Sequence, residues 1–394
     1  MRYLHFIVLI FFLFSCSGTK VNSIPEIEFE DAVENNQEIL LSNYASDIEY
    51  IPLETSSESI MSATQTDMIV FDSKIYIASQ RGNCVYSFDS DGSYIGTFNR
   101  KGNGPEEYSF VFDFEFENDG SGAILVLCHK DVIRYTLKGE WIGKISLESL
   151  GAKSYSNLFY IGNGVYAIKG NFVDENDNYD KLILFDSEGN ELKSARIGAP
   201  LVAQLGEFKI VYNSKIDKFS DSFNVLNISS DTIFIYDYDL NMRSALILDC
   251  GKYLNKLKSE DFMNKLIIGD YYSSVSNDKL LVMSFSYPKD DFAHLCNKNT
   301  KVSRSYACMF YDKSTGKTFI PKYDSKFALQ GMVNDLDGGA PFTPEFIVEN
   351  NMYAFIDAID FIEYASVSES ADMKSVAAQL TDESNPVLVK VTTK

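Results

Sequence analysis

The chain has 394 residues, 45% of them hydrophobic, which supports a sizeable core and excludes wholesale disorder. It carries 24 Tyr and 29 Phe but only 9 Pro, a balance that favours strands over helices. The formal charge of −21 repels phosphate backbones and anionic lipid, which excludes nucleic acid as a partner and leaves membrane attachment to a covalent or hydrophobic device.

The chain opens with "MRYLHFIVLIFFLFSC", one Arg followed by an apolar run from Tyr3 to Phe14. As a helix such a run reaches only about 18 Å, too short for the hydrocarbon core, so residues 1–15 read as a secretory signal. Leu13-Phe14-Ser15-Cys16 resembles a bacterial lipobox, which implies that Cys16 becomes the acylated first residue of the mature protein. Several acyl chains on one Cys would hold the protein firmly, at about 0.8 kcal/mol per buried methylene. Residues 16–45 are polar and acidic with no long apolar period, and are expected to form a flexible tether. Ser17-Gly18-Thr19-Lys20 lacks an acidic run, which favours the periplasmic side of the outer membrane.

From residue 46 onward short apolar runs alternate with turns. Five segments share one pattern: "CVYSFDSDGSYIGTF", "DVIRYTLKGEWIGKI", "KLILFDSEGNELKSARI", "DTIFIYDYDLNMRSALIL" and "YACMFYDKSTGKTFI". Anchored at Asp89, Thr136, Asp186, Asp237 and Asp312, they are spaced by 47, 50, 51 and 75 residues. A strand-built repeat near fifty residues is the period of a propeller blade. Upstream of the first three lie further strand pairs, including "FVFDFEFENDGSGAILVLC", where Phe110, Phe112, Phe114 and Phe116 alternate with Val111, Asp113 and Glu115. Residues 259–267 offer a short helix, and Met373, Val376, Ala377 and Leu380 recur at helical spacing. The early strand "IEYIPL" is expected to close the ring by pairing with the last blade.

Asp89-Ser90-Asp91-Gly92 has the look of a calcium loop. An EF-hand loop needs Gly at position 6 and a bidentate Glu at position 12, whereas here Gly92 is position 4 and position 12 is Arg100. The matching turns "TLKGEW" and "DSEGNEL" lose acids but keep Gly, so the segment reads as a hairpin turn that needs positive φ.

"IEYIPLETSSES", "GNGPEEY", "NDLDGGAPFTP" and "NPVLVKVTTK", in that order and behind a lipobox, resemble the six-bladed β-propeller lipoproteins of Bacteroidota, similar to NHL-repeat and TolB-like propellers. The resemblance covers residues 46–394 and implies an all-β, six-bladed propeller of four-stranded antiparallel blades, the sixth built from residues 326–394. It carries over no catalytic residue. It does mark Gly102, Gly104, Pro105 and Tyr108 in one motif and Asp335, Asp337, Gly338 and Gly339 in the other. Both motifs suit tight passages between blades, and are expected to be structural.

Catalytic constellations are sparse. The mature chain keeps two histidines, His129 and His294, and no G-x-S-x-G, against a Ser-His-acid hydrolase. Cys84, Cys128, Cys250, Cys296 and Cys308 show no C-x-x-C, so neither a zinc site nor a disulfide framework is indicated. Cys296 and Cys308 either pair across a hairpin or sit as small buried hydrophobes. The expected function is a non-catalytic binding or scaffold module for an envelope protein or glycan. The segment 285–305, a long loop, is the expected partner-contacting surface. The alternative is a calcium-assisted hydrolase or lyase in the central channel, with Asp113, Glu115, Asn334 and Asp335 as candidate channel groups; no residue is assigned as a metal ligand.

Overall fold

The computed structural model describes residues 24–394 apart from 62–66, 121, 176, 206, 213, 220, 228–229, 270–274, 293–294, 296–302 and 349–350. Period-2 alternation along its strands builds six antiparallel blades in a ring, as expected. Blade 1 spans Asp67–Phe71 to Tyr94–Phe98, blade 2 Asp113–Glu117 to Trp141–Ser146, and blade 3 Ser154–Gly162 to Glu191–Gly198. Blade 4 spans Lys215–Phe219 to Met242–Leu248 and blade 5 Ile267–Ile268 to Lys317–Phe319. Blade 6 combines Phe346–Val348, Asn351–Ile356 and Val387–Thr393 with Ala45–Pro52 as its outer strand. That pairing, with Ile48 opposite Val391 and Tyr50 opposite Val389, closes the ring where the sequence placed it.

Each blade must hide two faces, and the strands show how. In blade 2, Ile124 and Val126 pack toward blade 1 while Leu125 and Leu127, one residue out of phase, pack toward blade 3. The same division gives one apolar layer at every junction. Phe223 and Val225 meet Leu182 and Leu184 between blades 4 and 3, and Leu388 and Tyr353 meet Ile75 and Ile77 between blades 6 and 1. Burying each such side chain stabilises the ring by about 1.5–3 kcal/mol, which explains the aromatic and aliphatic load.

Four of the five repeat anchors are hairpin turns of one geometry, while the Asp312 carbonyl accepts from Gly316 N–H, four residues on. Asp89, Thr136, Asp186 and Asp237 each donate N–H to the carbonyl four residues on and accept from the N–H three residues on. Gly92 and Gly189 sit there at φ +88° and +82°, and a Cβ on either would meet the backbone of the preceding blade at 2.3 and 2.1 Å. The glycine is needed both for its conformation and for that close approach. In blade 4 the position is Leu240, held at φ +54° while its side chain is buried among Phe223 and Val225.

Several expectations need correction. Residues 24–45 are not a flexible tether. Glu26–Ile27 adds a parallel strand to the edge of blade 4, Phe29–Glu34 is helical, and Gln37 and Leu40 bridge to Pro321 and Val333. Ile27, Phe29, Val33 and Leu41 are fully buried, so this strap wraps blades 4 to 6. Residues 16–23, including Cys16, lie outside the described residues.

Residues 259–267 form no α-helix: the helical turn is Leu254–Leu257, followed by a 3-10 turn at Phe262–Asn264 capped by Asp261. The strand of blade 2 starts at Asp113, so Phe110 and Phe112 precede it, Phe110 being exposed and Phe112 meeting His129 edge-on at 5.8 Å. The loop expected at 285–305 is shorter, because Leu280–Pro288 and Arg304–Asp312 extend into it and Tyr287 is fully buried. His294 and Cys296 lie outside the described residues, and Cys84, Cys128, Cys250 and Cys308 carry free thiols. The helical spacing at Met373 corresponds to Ala371–Ala377, capped by Ser370, whose hydroxyl accepts from Met373 N–H. The longer helix Ala358–Val367 packs beside it on blade 6.

Candidate functional site

The two glycine motifs fold very differently. In residues 100–108 the bonds are local: Gly102 N–H donates to the Tyr108 carbonyl, and Glu107 N–H to the Gly104 carbonyl. Gly104 N–H donates to the Glu107 carboxylate at 2.8 Å. A Cβ on Gly102 would occupy the place of that carboxylate, so Gly102 keeps the loop closed. Tyr108 is the loop's plug, fully buried, its hydroxyl accepting from Arg100 N–H at 3.1 Å and donating to the Asn83 carbonyl at 2.6 Å. Burial pushes its phenol up to about 12. Tyr135 ties the loop to blade 2 by donating to the Glu106 carbonyl at 2.7 Å.

This loop and the edge of blade 2 enclose a cleft of about 190 Å³, lined by Arg100, Gly104, Pro105, Glu106, Glu107, Tyr135 and Trp141. Trp141, the chain's single tryptophan, is 45% exposed. The pairing register of its strand shifts between Trp141 and Gly143. Arg100 fixes its Nε on the Gly139 carbonyl at 3.1 Å. Its two Nη groups, the Glu106 carboxylate and the indole N–H engage no protein partner among the described residues. Arg100 is therefore tied to the backbone through Nε alone, and the Glu106 and Trp141 side chains are exposed.

The second motif is a rivet. Asp335 accepts from the N–H and hydroxyl of Ser42 at 2.9 and 2.6 Å, fastening the N-terminal strap. Burial alone would raise its carboxyl, yet the two Ser42 bonds hold it below the usual range. Asp337 accepts from Tyr50 hydroxyl, Asn334 amide and Gly339 N–H at 3.2, 2.6 and 3.0 Å, and from the Ser370 helix cap. Gly338, at φ +78°, offers its carbonyl to Glu369 N–H, and a Cβ on Gly339 would meet the Tyr50 hydroxyl at 2.2 Å. Asn334 is buried within this knot beside the outer strand of blade 6, so it does not join Asp113 and Glu115.

Those two acids do sit on the innermost strand of blade 2, and Glu117 extends them into a column. Asp113 accepts from Leu158 N–H of blade 3 at 2.9 Å. Glu115 accepts from the ammonium of Lys218 at 3.1 Å, which reaches from blade 4 and also donates to the Tyr160 carbonyl at 3.1 Å. Glu117 takes both Arg134 bonds, at 2.8 and 2.9 Å, and the Tyr166 hydroxyl at 2.7 Å. Asp67 of blade 1 joins from the other side: burial, and then Glu115, push its carboxyl well above the usual range. Burial likewise raises Asp113 to about 7. Burial pulls Lys218 down, but Glu115 and Asp67 hold its ammonium above the usual value. Lys169, buried nearby and donating to the Ser214 carbonyl, is pulled down to about 8 by desolvation. Among the described residues no three Asp, Glu, His or Cys side chains converge as a metal site needs.

Sequence reasoning found Asp113 and Glu115 but not Lys218, the partner of Glu115 103 residues away. It also passed over Trp141, which reads as one more strand aromatic. The signal available was its uniqueness in the chain.

The chain belongs to the family described as Domain of unknown function (DUF4934), which matches residues 24–392. Among curated proteins none matches it. Its fold is similar to the crystal structure of a protein from Bacteroides fragilis NCTC 9343 named for export, at 14% identity and a TM-score of 0.66, covering 94% of this chain and 100% of that one. It is also similar to a member of the duf4221 family from Bacteroides vulgatus, at 10% identity and a TM-score of 0.51, covering 91% and 99%. At these identities the likeness establishes the fold. Among the described residues no helix is long and apolar enough to cross a membrane.

Proposed function

We propose that this protein is a lipid-anchored cell-envelope propeller that works as a non-catalytic binding or scaffold module, holding an envelope protein or glycan at the rim between blades 1 and 2. One observation carries the reading. The charged groups of the ring interior already have partners, whereas at the rim Arg100 is tethered only through Nε and the Glu106 and Trp141 side chains are left unpartnered. Unsatisfied polar groups beside an exposed indole favour binding, and the tether on Arg100 lowers the ordering entropy that group has left to lose. The leader-like segment ending at Cys16 and the exported Bacteroides relative support an envelope location.

The anchor is tested by labelling cells with an alkyne fatty acid: incorporation should vanish in Cys16→Ala and the protein should leave the membrane fraction. The binding role is tested by presenting the immobilised chain, from Ser17 onward, to purified outer-membrane proteins and envelope glycans. Saturable binding weakened by Trp141→Ala is expected. Failure of every candidate to bind would remove the proposal.

A further inference from the structure

We infer that the cleft at the blade 1–2 rim is a subsite for one ring of a neutral saccharide, with Trp141 as the stacking platform. This rests on the binding-module reading and names the ligand class for that site.

The lining makes the selection. A half-exposed indole offers a flat apolar face, and beside it stand one cation and two carboxylates on the loop that Tyr108 plugs. The matching ligand has an apolar face and a perimeter of hydroxyls that both donate and accept. A pyranose has this form: its axial C–H groups lie against the indole while its equatorial hydroxyls donate to Glu106 and accept from Arg100. The cavity of about 190 Å³ holds one such ring and leaves the rest of a chain in solvent.

Other ligand classes fit worse. An anionic ligand meets Glu106, Glu107 and a chain of formal charge −21. An extended peptide adding to the blade edge needs an even ladder, and the shift between Trp141 and Gly143 breaks it where the cleft lies. An acyl chain needs a longer apolar slot than one bordered by Arg100 and two glutamates.

Because Trp141 is the only tryptophan, the intact chain from Ser17 onward reports on the site through its own fluorescence. Titration with cellohexaose, mannohexaose, maltohexaose and chitohexaose should give, for at least one, a saturable blue shift. Polygalacturonate should give none. By calorimetry, Glu106→Gln should bind the same oligosaccharide about tenfold more weakly and Trp141→Ala should lose it, both melting as the parent does. Silence with all four neutral oligosaccharides, tighter binding of polygalacturonate, or binding that survives Trp141→Ala each overturns the inference. If the oligosaccharides are silent but an outer-membrane protein binds and is lost in Trp141→Ala, the saccharide subsite falls and the binding-module reading stands. If both are silent, both fall.

Discussion

Glu106 and Glu107 lie within eleven residues of Asp113, Glu115 and Glu117, and the two stretches share nearly the same composition of acids and aromatics. In the rim loop the acids face solvent, and Glu107 accepts from one backbone N–H while Glu106 accepts nothing through its side chain. On the inner strand of blade 2 every acid is answered: Leu158 N–H for Asp113, Lys218 for Glu115, Arg134 and Tyr166 for Glu117. What separates them is the cost of burial. A carboxylate removed from water must find donors or take up a proton, so the column became part of the scaffold. The exposed loop carries no such demand, and its groups stay open for a partner.

The comparison can be broken most sharply at Lys218. Lys218→Met leaves Asp67 and Glu115 without their cation, and chemical denaturation at pH 8 should show a loss of about 3–5 kcal/mol. The loss should shrink at pH 5, where protons replace the missing charge; equal losses at both pH values would mean the pair is not an electrostatic lock.

Asp113 makes a milder test. Its folded-state value of about 7 lies above that of an unfolded Asp, so its favourable contribution is complete below about pH 4 and disappears as the pH rises through 7. Asp113→Asn should therefore flatten the decline in stability between pH 5 and 8. It should gain about 1–2 kcal/mol over the parent at pH 8, a figure discounted for the water that reaches the channel wall. A variant no more stable than the parent at pH 8 would contradict this.

At the boundary of the two regions, Tyr108→Phe removes a hydroxyl but leaves Arg100 N–H and the Asn83 carbonyl buried beside the ring, which should lower stability by about 1–3 kcal/mol. Thermal melts check it, with Tm unchanged as the refuting result. Smallest of all, Glu106→Gln and Trp141→Ala should each alter stability by less than about 0.5 kcal/mol, because neither side chain supports the fold. A larger loss would turn the rim cleft into another piece of scaffold.

The ring was legible because its physics is local. Alternating apolar residues, a glycine about every fifty positions and the apolar strand "IEYIPL" each carry their meaning within a few residues. The strap was misread for the opposite reason: Ile27, Phe29, Val33 and Leu41 are scattered apolar residues in an acidic stretch, with no period until blades 4 to 6 give them somewhere to pack. The helix Ala358–Val367 was missed, since its inward residues Ala358, Phe361 and Ala365 are few and small apart from one ring. At the site, Asp113 and Glu115 stood out by alternating with phenylalanines. Lys218 could not, because nothing short of the folded ring brings blade 4 within reach of blade 2. Asn334 was assigned to the channel by residue type alone, and the Asp337 and Tyr50 bonds hold it elsewhere.

The clasp between Ala45–Pro52 and Val387–Thr393 also sets a timetable. Ala45–Pro52 comes early in the chain, but its mate Val387–Thr393 follows it by more than three hundred residues. Until then Ala45–Pro52 has no strand to pair with and blade 6 lacks its third strand, so a product that stops short of it stays open and prone to pair with other chains. Val387–Thr393 therefore acts as the lock: a molecule that stops short of it cannot close the ring.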